Sequence, residues 1–207
     1  MGLYAKYVLP RLIDAACRNK DVQELRKQVL PAAKGIVVEV GIGSALNLPY
    51  YSPNLVHLYG IDASSELLQM ARRKTKGTPF PVTFLHRTAE KLPLEDHSVD
   101  TVVMTWVLCS ISEDLTALRE MKRILKPTGG LLFLEHGLAP ESKIQAWQNR
   151  LTPIWKRIGG GCCLNKRIDG LISRAGFVIT ELHNSYMPGP KPMTYVYRGF
   201  AEPDRSV

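Results

Sequence analysis

The stretch Val37-Val38-Glu39-Val40-Gly41-Ile42-Gly43-Ser44-Ala45-Leu46-Asn47 decides the fold. Val37, Val38 and Val40 form an apolar strand, Gly41 and Gly43 a tight turn, and the pattern predicts a helix opening directly after it. A turn of this kind lets the backbone come close to a nucleotide-like ligand. A dinucleotide fingerprint, Gly-x-Gly-x-x-Gly, needs a third glycine so that helix and strand can pack around a pyrophosphate, and here Leu46 holds that place. Glu39, just before the turn, would repel a pyrophosphate and suits an ammonium group. Downstream, Leu58-Tyr59-Gly60-Ile61-Asp62 reads as a second short strand ending in an acid. The gap is about 20 residues, the spacing at which a parallel neighbour presents a carboxylate to ribose hydroxyls.

A ribose joined to an amino acid, without pyrophosphate, describes S-adenosylmethionine. With these residues in place, the chain resembles the class I S-adenosylmethionine-dependent methyltransferases over residues 35–201. Glu39-Val40-Gly41-Ile42-Gly43 is similar to that family's first motif, Asp62-Ala63-Ser64 to its second, and Thr88-Ala89-Glu90-Lys91-Leu92-Pro93 to its adenine loop. Asp100-Thr101-Val102-Val103-Met104-Thr105 and Leu125-Lys126-Pro127-Thr128-Gly129-Gly130 follow in the family's order. A narrower resemblance, to the small-molecule thiol methyltransferase-like group, rests on residues 102–111 (VVMTWVLCSI), Glu135-His136 and residues 160–166 (GGCCLNK). Ala45 departs from the broad pattern, where glycine is common, and is expected to tighten the turn.

The resemblance implies a Rossmann-like, doubly wound α/β fold. Its seven-stranded sheet would be mostly parallel with an antiparallel last strand, and would carry an N-terminal helical cap. Residues 1–34 are expected to form the cap, 35–201 the methyltransferase domain and 202–207 a tail. The cofactor residues it implies are Glu39, Gly41, Gly43, Asn47, Asp62, Ala63, Thr88, Ala89, Glu90, Thr105 and Trp106. Glu39 would meet the methionyl ammonium, the backbone of residues 41–43 the methionine, Asp62 the ribose, and Thr88 with Ala89 the adenine edge. Trp106, Cys109, His136, Cys162 and Asn165 would surround the acceptor. Trp106 reads equally as a core aromatic or as a cover for the sulfonium, whose charge an aromatic face attracts. His136 follows a strand at the ligand edge and titrates near neutrality; it is either a base or positioning group for the acceptor, or a structural histidine.

The 207 residues, 45% of them hydrophobic, suit one globular domain with a sizeable core. The four cysteines lack zinc-ligand spacing along the chain, so reduced thiols and no metal are expected. No apolar run of membrane-spanning length and no secretory signal is present, and a cytoplasmic protein is expected. The net charge of +8 favours anionic partners without choosing among them. Nucleic acid is not expected as a partner: Asn47-Leu48-Pro49-Tyr50 imitates the motif of enzymes that methylate base amines, but it follows the first strand rather than the fourth. Residues 3–16 carry Leu3, Tyr4, Tyr7, Val8, Leu12, Ile13 and Ala16 at helical spacing, interrupted by Pro10. They predict a helix that buries its apolar side on the body of the domain, or one that forms a lid or a weak membrane-surface contact. The partner expected is a small-molecule methyl acceptor; the oligomeric state is left open.

Overall fold

A computed structural model describes residues 4–205; Leu3 of the expected N-terminal stripe and residues 206–207 of the expected tail lie outside it. The strands are β1 (Ile36–Val40), β2 (His57–Asp62), β3 (Val82–His86), β4 (Val99–Thr105), β5 (Leu125–His136), β6 (Phe177–Tyr186) and β7 (Tyr195–Pro203). They form one sheet in the order β3-β2-β1-β4-β5-β7-β6. β1 pairs in parallel with β2 and β4, β2 with β3 and β4 with β5, while β7 runs antiparallel between β5 and β6. This is the doubly wound sheet with an antiparallel last strand that the motifs implied. The strand order reverses between β1 and β4, which places a crevice outside their carboxyl ends.

The central strands are covered on both faces, as a parallel sheet requires. Their period of two splits each strand between two apolar layers. Val38, Val102, Met104, Leu131 and Phe133 pack on one side with Leu118 and Met121 of α4 (Asp114–Ile124) and Ile168 and Ile172 of α6 (Ile168–Arg174). Val37, Val103, Leu132 and Leu134 pack on the other with Leu30, Leu48 and Leu68. The remaining helices are α1 (Leu9–Ala16), α2 (Lys20–Val29), α3 (Ser65–Arg72), α5 (Ser142–Ile158) and the short α7 (Lys191–Thr194). Ser64 caps α3 by accepting from the Leu67 amide at 3.2 Å, as its position before Glu66 predicts. No helix among the described residues is long and apolar enough to cross a membrane.

Three local expectations need correction. No α-helix follows the glycine turn: residues 41–47 stay in turns and end in a single 3-10 turn, Leu48–Tyr50. Ala45 sits at φ 60°, left-handed, and Pro49 has no N–H to donate, so a continuous right-handed ladder cannot start. Ser112, whose place ahead of Glu113 and Asp114 predicts an N-cap, does not cap α4; Glu113 holds the cap position without a side-chain bond, and Asp114 accepts from the Leu115 amide instead. The apolar stripe of α1 does not face inward. Tyr7, Val8 and Leu12 are exposed, Leu12 by 53%, whereas Pro10 and Asp14 are the buried residues. The helix is turned so that the Asp14 carboxylate meets the domain, with Leu9 and Ile13 beside Gly160, while Leu12 faces outward.

Candidate functional site: a closed crevice at the first glycine turn

Gly41 and Gly43 adopt φ of 71° and 55°, a region open to glycine at no steric cost. A side chain at Gly41 would place its Cβ 2.2 Å from Val107 Cγ2, so this strand-to-turn junction admits hydrogen only. Asp62 anchors the turn from the neighbouring strand. Its Oδ2 accepts from the Gly43 amide and its Oδ1 from the Ser64 amide, both at 2.8 Å. Burial raises its pKa against the pull of those two amides.

Beneath the turn, Glu39 is 1% exposed and both of its oxygens are engaged. Oε1 accepts from Asn47 Nδ2 at 2.8 Å and Oε2 from the Tyr51 hydroxyl at 2.7 Å. Asn47 also donates to Thr105 Oγ1 at 2.9 Å, linking the ends of β1 and β4. Arg26 Nε of α2 donates to Asn47 Oδ1 at 2.7 Å. Burial outweighs Tyr51, Asn47 and the Arg26 charge and lifts the Glu39 carboxyl to about 8. A carboxyl raised this far by burial, with a guanidinium nearby, ionises when a cation arrives, and such perturbed groups concentrate at functional pockets.

A cavity of about 60 Å³ lies against these groups, bounded by Glu39, the turn at residues 41–44, Asn47, Thr105 and Trp106. Its remaining wall comes from Ile13, Asp14 and Cys17 of the N-terminal segment and from Arg26. Asp14 latches α1 down. It accepts from Ser44 Oγ, pairs with Lys74 Nζ at 3.3 Å and with Arg18 Nε at 2.7 Å. Burial pushes the Asp14 carboxyl up, but the bonds from Ser44, Arg18 and Lys74 outweigh it and leave it below its usual value. Small-molecule pockets run roughly 300–1,000 Å³; this one, with Ile13 and Asp14 of α1 on its wall, is a fraction of that.

Trp106 follows β4 directly and sits in the left-handed region at φ 57°, an uncommon conformation for a bulky residue and one that concentrates at functional sites. Its Nε1 is buried without a partner among the described residues. Its ring stacks on His136, centroids 6.1 Å apart and planes 20° from parallel. His136 ends β5 and places Nε2 3.0 Å from Cys162 Sγ. Burial pushes the imidazole pKa down, but the bond with Cys162 and the Glu135 charge raise it above its ordinary value. The bond with Cys109, then burial, push the Cys162 thiol well up. Behind His136, Glu135 Oε1 accepts from the Val107 and Leu108 amides at 2.9 and 3.1 Å, while Oε2 is buried with no hydrogen-bond partner among the described residues. Its carboxyl is raised to about 7 by burial.

The predicted residues thus divide. Glu39, Gly41, Gly43, Asn47, Thr105 and Trp106 line the cavity, Asp62 ties its turn, and Cys109, His136 and Cys162 cluster beyond Trp106. Ala63 and Thr88 are exposed, Ala89 is buried in the core, Glu90 is half-buried, and none of the four lines the closed cavity. Asn165 donates to Asn149 of α5 at 2.8 Å instead of joining the cysteines and histidine. Arg26, Tyr51 and Asp14 escaped the sequence reading. Arg26 and Asp14 sit in helices whose polar residues resemble solvated ones, and only the tertiary fold turns them inward.

A family profile described as a methyltransferase domain matches residues 38–133. The rat thiol S-methyltransferase TMT1B is 31% identical over 158 residues, 74% of this chain and 64% of that protein. This chain therefore spans just under two thirds of that relative's length. The ubiquinone/menaquinone biosynthesis C-methyltransferase UbiE of Campylobacter jejuni is 30% identical over 196 residues, 89% of this chain and 73% of that protein. In solved structures, a SAM-dependent methyltransferase from Aquifex aeolicus superposes with a TM-score of 0.63 at 20% identity, over 93% of this chain and 97% of that one. The sheet order, the glycine turn with its two acids and these relatives agree: the chain belongs to the class I S-adenosylmethionine-dependent methyltransferases.

Proposed function

We propose that this protein transfers the methyl group of S-adenosylmethionine to the sulfur of a small, rather apolar thiol. The observation that carries the reading is the buried Glu39 at the glycine turn, in a cavity whose far wall is Trp106, with His136 stacked directly behind that ring. Glu39 receives the methionyl ammonium, and the backbone of Gly41 and Gly43 lines the methionine. Asn47 holds Glu39 in place, Asp62 takes the ribose, and Ala63, Thr88, Ala89 and Glu90 form the adenine side once the crevice opens. Thr105 and Trp106 flank the sulfonium. On the acceptor side stand Trp106, Cys109, His136, Cys162 and, if the later loop shifts, Asn165.

Methyl transfer from a sulfonium is an in-line displacement, so alignment and exclusion of water supply most of the catalysis. The displacement itself requires no metal. A thiol of pKa about 8.5 is a few per cent ionised at pH 7 and is strongly nucleophilic. His136 positions that thiol or takes its proton. The small cavity volume supports a lid role for α1: it has to lift off the Ser44 and Lys74 contacts of Asp14 before a cofactor can enter.

A second reading is favoured by one observation, the exposed apolar residues Tyr7 and Val8 just ahead of α1, Leu12 of α1, and Ile154 and Ile158 of α5, which together offer an apolar face. On a chain of net charge +8 this face suits weak contact with an anionic lipid surface, and the acceptor is then a membrane-held quinone or phospholipid amine. Calorimetry with S-adenosylhomocysteine, followed by labelled methyl release across thiols, quinols, phenols, amines and phospholipids, tests both. Label on thiols supports the first reading; label only on lipid-borne acceptors, with cosedimentation on liposomes, replaces it by the second. No heat with S-adenosylhomocysteine overturns both.

A further inference from the structure

Among the described residues one group of metal-ligating side chains converges, and it lies on the acceptor side of Trp106. Cys109 Sγ, the His136 ring nitrogen and Cys162 Sγ all lie within 4.8 Å of one another, with Nε2 of His136 3.0 Å from Cys162 Sγ. A tetrahedral zinc ion with bonds of about 2.3 Å to sulfur and about 2.0–2.1 Å to nitrogen places its ligands roughly 3.5–3.8 Å apart. The His136–Cys162 distance of 3.0 Å is shorter than that range and every pair lies within 4.8 Å, so the three donors of the cluster stand close to the spacing an ion requires. Its donors are also the right kind: two soft sulfurs and one imidazole.

Each ligand is carried on a braced segment. Cys109 stands in a 3-10 turn, Leu108–Ser110, whose approach is fixed by the Val107 and Leu108 amides donating to Glu135. His136 ends a central strand and is backed by the Trp106 ring. Cys162 comes from the loop after α5, tied to the same turn by the Cys163 amide donating to the Cys109 carbonyl at 2.9 Å. Lys166 closes the arrangement with Nζ donating to the Leu108 and Ile111 carbonyls at 3.0 and 2.5 Å. A site assembled this way needs little reorganisation to bind.

We propose that Cys109, His136 and Cys162 bind a divalent zinc-type cation, leaving its fourth position open to the acceptor sulfur. Two thiolates and a neutral imidazole make the loaded centre formally neutral, which suits its burial. Three protein ligands with one open position is the arrangement of catalytic rather than structural zinc. Loading releases both cysteine protons to solvent. An incoming thiol loses its proton to solvent as its sulfur joins the metal. A lone pair of that sulfur then forms the new bond to the methyl carbon, and the pair of the breaking carbon–sulfonium bond stays on the departing thioether. His136 becomes a ligand in this state, and the metal does what a base would otherwise do. The acceptor role rests on the thiol reading above; the metal site itself does not.

The test is an anaerobic titration of the reduced full chain with cobalt(II) in the absence of methyl donor. One cobalt per chain is expected, with thiolate charge-transfer absorption and the visible bands of a tetrahedral centre. Cys109→Ser and Cys162→Ser should each strip charge-transfer intensity while retaining the native circular dichroism. Cys163→Ser should leave the spectrum unchanged. Adding 2-mercaptoethanol should strengthen the charge-transfer band, and ethanol should not. No stoichiometric uptake, a Cys109–Cys162 disulfide persisting in the reduced protein, or equal loss on Cys163→Ser overturns the site; bands indifferent to the monothiol overturn its open position. S-adenosylmethionine added afterwards separates this site from the proposed function: a loaded chain that responds to the monothiol but methylates no thiol upholds the site and refutes the thiol-acceptor reading instead.

Discussion

Cofactor binding should expel a proton from Glu39. In the closed structure this carboxyl is buried between Tyr51 and Asn47 and its pKa stands at about 8. At pH 7 it is therefore about nine-tenths protonated. The ammonium of the cofactor's methionine end would hold it ionised, so each molecule bound releases close to one proton from this site, and affinity rises about tenfold per pH unit up to pH ~8 and then levels. Isothermal titration of S-adenosylhomocysteine at pH 7 in phosphate and in Tris, whose ionisation heats differ, reads this release directly. Glu39→Gln should abolish both the buffer dependence and the slope. The same substitution has a sign on stability. Because the folded pKa lies above the ordinary 4.5, Glu39 favours the fold fully below pH ~4.5, and that contribution is lost as pH rises through about 8. Glu39→Gln should then stabilise the empty protein by up to about 3 kcal/mol at pH 7, less whatever the amide fails to offer Tyr51 and Asn47. Equal heats in the two buffers, or a release that survives Glu39→Gln, would refute the assignment of the ammonium to this residue.

Other substitutions probe the rest of the crevice. Asp62→Ala removes acceptors for the Gly43 and Ser64 amides along with the expected ribose contact; cofactor affinity should fall at least about tenfold and stability by about 1–3 kcal/mol, and unchanged calorimetric affinity would free Asp62 of the ribose role. Gly41→Ala sets a methyl 2.2 Å from Val107 Cγ2 at φ 71°, so thermal unfolding should report a loss of about 1–3 kcal/mol and cofactor binding should fail. Asp14→Ala releases the latch to Ser44 and Lys74; amides of α1 should exchange faster and cofactor association should quicken, and unchanged exchange would argue against a lid. Leu12→Glu with Ile154→Glu places charge in the exposed apolar face, and any cosedimentation with anionic liposomes should disappear.

Much of this architecture was legible in the chain because local rules carried it. Val37, Val38 and Val40 announce a doubly covered strand, and Glu39, Gly41 and Asp62 announce the chemistry beside it. The helix expected after the turn was not legible, since nothing local says that Ala45 would adopt φ 60°. Nor was the facing of α1. Its apolar periodicity argued for burial, but the Asp14 pairing with Ser44 and Lys74 overrode it. The Cys109, His136 and Cys162 cluster was expected around the acceptor through the family resemblance, but not as a set of metal ligands. Its members lie far apart in sequence, in a turn, a strand end and a loop, so cysteine spacing along the chain carries no trace of it. Arg26 and Tyr51 are placed by tertiary contacts alone.

Methyl transfer from S-adenosylmethionine to sulfur can be read by mass spectrometry of a reaction run with methyl-deuterated cofactor and a matched pair of acceptors, an aryl thiol and its phenol. A deuterated S-methyl product from the thiol, equimolar S-adenosylhomocysteine and far less product from the phenol are expected. Cofactor that stays intact with every thiol, or label that appears on oxygen, nitrogen or carbon in preference to sulfur, would contradict it.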